Sequence, residues 1–106
     1  MNLISILPLL KFKVKEKSMI PLLKPGDEVI VWKLSKLKIR DVAVFRKDKK
    51  FYIKRISKIK DDSTSSRFRG ASKYFLEGDN EKESIDSRKF GWIERKDIIG
   101  KVIYKF

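Results

Sequence analysis

The chain has 106 residues, a formal net charge of +13, no cysteine and no histidine. Lacking histidine it cannot build a Ser-His-Asp triad, and lacking both residues it cannot build a Cys-His pair or the His- or Cys-ligated zinc sites of most metallohydrolases. With 42% hydrophobic residues it can bury one core, so residues 1–106 are expected to form a single domain without metal or cofactor.

Residues 3–10 are apolar except for Ser5 and Pro8. Eight residues are too few for a bilayer core that needs about 20 in a helix. No positive residue precedes them and no small-residue cleavage site follows, so no cleavable signal is expected. Two readings stand for residues 1–11: a segment lying on an anionic membrane with Lys11, Lys13, Lys15 and Lys17 near the headgroups, or the first strand of the core. The expected location is the membrane periphery or the cytoplasm.

The alternation Lys11-Phe12-Lys13-Val14-Lys15 fits a half-buried strand with a solvated lysine face. Further strands are expected at 28–32, 42–46, 51–59, 73–77 and 98–104, each short and rich in β-branched or aromatic residues, with the first at 12–15. Lys24-Pro25-Gly26-Asp27 suits a type II turn, and Asp48-Lys49-Lys50 a hairpin turn. Residues 61–72 are polar and read as a surface loop within the domain. The fold class is mostly β, short antiparallel strands forming a coiled, barrel-like sheet. The positive surplus suits an anionic partner, and a membrane surface fits better than nucleic acid, because no aromatic-rich recognition motif is present.

Ser18 stands alone ahead of Met19-Ile20-Pro21, and a serine hydroxyl needs a neighbouring base to become a nucleophile. In Phe51-Tyr52-Ile53-Lys54-Arg55-Ile56, alternation sets Lys54 between Tyr52 and Ile56 on one strand face. An ordinary lysine titrates near 10.4, whereas apolar burial disfavours the ammonium and frees a neutral amine. The competing reading is a lysine snorkelling from a sheet edge. Farther on, residues 76–93 hold Gly78-Asp79-Asn80, Ser84, Asp86-Ser87-Arg88 and Phe90-Gly91, polar enough for a structured loop in which Asp86 and Arg88 pair.

Ser18-Met19-Ile20-Pro21, Gly26-Asp27, Lys54-Arg55 and the block from Gly78 to Gly91, in this order, resemble the type I signal peptidase family over nearly the whole chain. The resemblance implies the mostly β core that this family shares with LexA-type proteins, with Ser18 as acylated nucleophile and Lys54 as general base. It further implies that Ser84 hydrogen-bonds and orients the lysine amine, and that Asp86 and Arg88 stiffen the site, with Asp79 and Arg55 supporting it. Met19, Pro21 and Tyr52 are expected at the substrate. The implied partner is a leader-bearing precursor, cut after small residues.

This chain departs from the family pattern at Leu22, where threonine is usual, and at Arg40, where glycine is common. Glu16 replaces a serine that in some relatives completes the oxyanion hole, and is expected to face solvent. Family members usually carry one or two transmembrane helices ahead of the nucleophile, and no such stretch is legible here. The chain therefore also resembles the short maturation proteases that trim the propeptide of nickel superoxide dismutase. A LexA-type repressor is disfavoured, with no DNA-binding domain ahead of Ser18 and no upstream Ala-Gly bond. A non-enzymatic basic β-barrel binding nucleic acid is the remaining alternative.

Overall fold

The structure is a computed structural model, which describes residues 8–33, 36–60 and 72–106. Among the described residues seven strands form one antiparallel sheet: β1 Leu9–Lys13, β2 Glu28–Trp32, β3 Val42–Lys47, β4 Lys50–Lys60, β5 Lys73–Glu77, β6 Ile93–Glu94 and β7 Ile98–Lys105. Their spatial order is β1-β2-β7-β3-β4-β5-β6, with β1 and β6 at the two edges. The mostly β expectation holds, and the sheet is open rather than closed on itself, because those edge strands do not pair with each other. None of the described helices is long and apolar enough to cross a membrane.

The first strand lies earlier than expected. Leu9 pairs with Trp32 and Lys13 with Glu28, and Val14 then hydrogen-bonds Asp27 across the mouth of the next turn. Leu9 and Leu10 thus belong to β1, while residues 1–7 lie outside the described part, as do residues 61–71 of the expected loop. Gly26 has φ +97°, the left-handed value that the third position of a type II turn demands, and Asp27 N–H closes that turn on Lys24 O. Asp48 and Lys49 both have positive φ, as a two-residue type I′ hairpin requires, so Lys50 is already the first residue of β4.

The core has two apolar clusters. One gathers Ala43, Phe45, Ile56, Leu76, Ile93 and Ile98, and the other Val14, Met19, Leu23, Val29, Val31, Val42 and Val44. Alternation along β3 sends Ala43 and Phe45 to the first and Val42 and Val44 to the second, which is why 42–45 is apolar without a break. Beyond β5 the polar block contains a short helix that the sequence reading did not resolve, α1, Ser87–Phe90. The Asp86 side chain caps its start by accepting from Arg88 N–H, and Gly91, with φ +80°, ends it. The two-residue strand β6 was also not anticipated, being too short to show a period of two.

Candidate active site

Lys54 lies in mid-strand on β4, opposite Ala43, and is buried, with only 3% of its surface exposed. Ser18, equally buried, sits in the turn between β1 and β2 next to the core residue Met19. Chain segments 36 residues apart thereby meet: Lys54 Nζ donates to Ser18 Oγ at 2.5 Å. Burial is the largest influence on the amine and lowers its proton affinity. Asp86 and Glu16 act against that shift, and Lys50 and Arg88 reinforce it. Tyr52 borders the amine, its ring centroid 5.9 Å from Nζ, and is held by stacking on Phe45 and an edge contact with Phe90.

The turn carrying Ser18 is tied to the loop after β5. Asn80 N–H donates to Ser18 O at 2.7 Å, Asn80 Nδ2 to Lys17 O at 3.1 Å, and Asp79 N–H approaches Met19 Sδ at 3.5 Å. Gly78 permits this approach, since a Cβ there would stand 2.8 Å from Ser18 O and would also strike Ser84. No described residue accepts a hydrogen bond from Ser18 N–H. These tethers join residues sixty or more positions apart.

Beneath that loop, Asp86 is 1% exposed and its carboxylate collects donors: Gly78 N–H at 2.8 Å, Arg88 Nη2 at 2.6 Å, Arg88 Nε at 3.0 Å and the Ser84 hydroxyl. Burial works against ionisation, but these hydrogen bonds outweigh it and hold the carboxyl well below the usual carboxylate range. The expected Asp86–Arg88 pair is present. Ser84 departs from expectation: its hydroxyl donates to Asp86 Oδ2 and makes no hydrogen bond to Lys54, because Asp86 two residues on offers the stronger, charged acceptor. Ser87 is also buried and accepts from Leu76 N–H at 2.9 Å, anchoring α1 to β5. Arg55 and Asp79 form a bidentate pair with both contacts at 2.8 Å, and Arg55 Nη1 reaches Arg40 O at 2.7 Å.

Ser18 and Lys54 open onto a groove of about 520 Å³ between residues 11–19 and the β3–β4 hairpin. Met19 and Tyr52 line it, whereas Pro21 does not. Glu16 is exposed as expected, yet it stands at the groove wall, 3.8 Å from Lys50. Among the described residues no group of three carboxylates gathers to hold a metal ion.

Residues 57–106 match the family model described as signal peptidase, peptidase S26. This stretch, just under half of the chain, is thus similar to signal peptidases of the S26 family. The matched S26 stretch contains Asp79, Ser84, Asp86 and Arg88 and begins just after Lys54, so it does not extend to Ser18 or Lys54. A search of curated proteins found no match to the chain.

Proposed function

We propose that the chain is a serine endopeptidase that removes N-terminal signal or leader peptides after small residues, using Ser18 and Lys54 as a catalytic dyad. The observation that carries this reading is the 2.5 Å contact between a buried lysine amine and a buried serine hydroxyl at the floor of an open groove. In the reactive form the amine is neutral. As Ser18 Oγ attacks the scissile carbonyl carbon, its proton passes to Lys54 Nζ, and the carbonyl π electrons move onto oxygen. Collapse of the tetrahedral intermediate breaks the C–N bond, and the lysine proton goes to the departing amine. Lys54 then takes a proton from water, whose oxygen attacks the acyl ester, and returns it to Ser18 Oγ.

The Ser18 N–H is a donor for the developing oxyanion, while the exposed Glu16 carboxylate cannot donate. The bonds from Asn80 to residues 17 and 18 and the Asp86-centred network hold the nucleophile's turn against the lysine, so orientation is set before substrate arrives. The test is incubation with a panel of leader-bearing precursors, with and without anionic vesicles, and mass spectrometry of the new N-termini. Cleavage after small residues by the parent chain and none by Ser18→Ala supports the assignment. Cleavage by Ser18→Ala at the parent's rate refutes it. The vesicle arm separates a membrane-bound signal peptidase from a leader protease that needs no lipid.

A further inference from the structure

We propose that the groove selects peptides carrying an acidic side chain a few residues from the scissile bond. This inference rests on the peptidase reading and names its substrate class. Besides Lys54, five lysines line the groove, Lys11, Lys13, Lys15, Lys49 and Lys50, against a single carboxylate, Glu16. They come from both walls: the first three from β1 and the segment after it, the last two from the β3–β4 hairpin.

Lys11 is engaged by Glu28 at 2.6 Å and Lys50 by Glu16 at 3.8 Å. Lys13, Lys15 and Lys49 make no ion pair among the described residues. A chain lying in the trough thus passes between unpaired cations on two sides, a field that favours a carboxylate and opposes a lysine or arginine. Glu16, two residues from Ser18, offsets this charge nearest the nucleophile, which moves the preferred position away from the cut itself. A flat headgroup layer can reach lysines on the rim, but a peptide can occupy the trough as it runs down to Ser18. The apolar side chains between the cations, Phe12, Val14 and Tyr52, take the remainder of the peptide.

The test uses binding, so it does not depend on turnover. Fluorescent leader peptides of one sequence, bearing a single Asp, Asn or Lys at successive positions around a small-residue cleavage site, are titrated into the full-length Ser18→Ala protein and read by anisotropy. The Asp series is expected to bind more tightly than the Lys series by roughly 1.5- to 5-fold for each exposed lysine engaged. That preference should fade as the screening length shortens from roughly 30 Å at 0.01 M salt to roughly 3 Å at 1 M.

Adding Lys13→Glu and Lys15→Glu should invert the preference, and Lys13→Gln with Lys15→Gln, which leaves Lys49 unpaired, should weaken it. Lys36→Glu with Lys38→Glu, an equal charge change outside the groove, should leave it in place, which separates groove recognition from the general attraction of a basic protein. Equal affinities for the Asp, Asn and Lys series overturn the proposal. So does an Asp preference that the distal pair reduces as much as the groove pair, and so does a preference absent from peptides but restored for anionic vesicles. If the parent chain cleaves none of these peptides while the binding preference persists, the dyad assignment fails and the selectivity stands.

Discussion

Removing the Asp86 carboxylate should cost far more stability than an average surface change. In Asp86→Ala the Gly78 N–H, the Ser84 hydroxyl and the Arg88 guanidinium all lose an acceptor that is 1% exposed. Breaking a buried pair typically costs 3–5 kcal/mol, and a stranded buried N–H adds about 1–3 kcal/mol. The Arg88 side chain is a third exposed and can rehydrate, which brings the pair's share below that range and leaves a total of about 3 kcal/mol. For a domain of this size, 1 kcal/mol moves Tm by roughly 4–8 °C, so the variant should melt at least about 12 °C below the parent.

Thermal unfolding followed by circular dichroism measures the difference directly, and its pH dependence supplies an internal control. The Asp86 carboxyl is depressed in the folded state, so the stability it contributes is fully present above the unfolded value near 3.9 and is lost as pH falls through the folded value. The gap between parent and variant should therefore stay constant from about pH 7 to 5 and narrow below about pH 4. A variant melting within about 2 °C of the parent at neutral pH would refute the claim that this carboxylate organises the loop.

Gly78→Ala forces a Cβ against Ser18 O and Ser84, so it should lower kcat by displacing the nucleophile's turn, and a crystal structure of the variant should show that turn shifted. The depressed proton affinity of Lys54 means that the unfolded chain holds a proton there more tightly than the folded one, so stability rises with pH until the unfolded value near 10.4 is passed. Relative to Lys54→Met, the parent's Tm should accordingly climb as pH is raised from neutral, and parallel curves for the two proteins would contradict the buried amine. Activity should rise with pH along an acidic limb lying below the ordinary lysine range, and a limb at the value of an exposed lysine would count against Lys54 as the base.

Strands β2 and β5 could be read to the residue because a period of two ends there at turn-forming neighbours, and Lys54 could be singled out because Tyr52 and Ile56 flank it on the same strand face. The partner of Ser84 could not be read in the same way. The family pattern directs its hydroxyl to the amine, and only the loop's three-dimensional path shows that it turns to the carboxylate. The bonds from Asn80 to residues 17 and 18 join parts of the chain whose sequences carry no mark of each other. Openness of the sheet was likewise hidden, because closure depends on whether its two most distant strands meet, a property of accumulated twist rather than of any segment. Pro21 shows the opposite limit, since the family resemblance placed it at the substrate, yet it does not line the groove.

The dyad is tested most directly by following one leader peptide with a small-residue cleavage site against three proteins, the parent, Ser18→Ala and Lys54→Ala, each confirmed to be folded by circular dichroism. The account predicts a new N-terminus after the small residue with the parent and no product with either variant, the two losses being equal because one proton-transfer unit is disabled in both. Product from either variant at the parent's rate would contradict it.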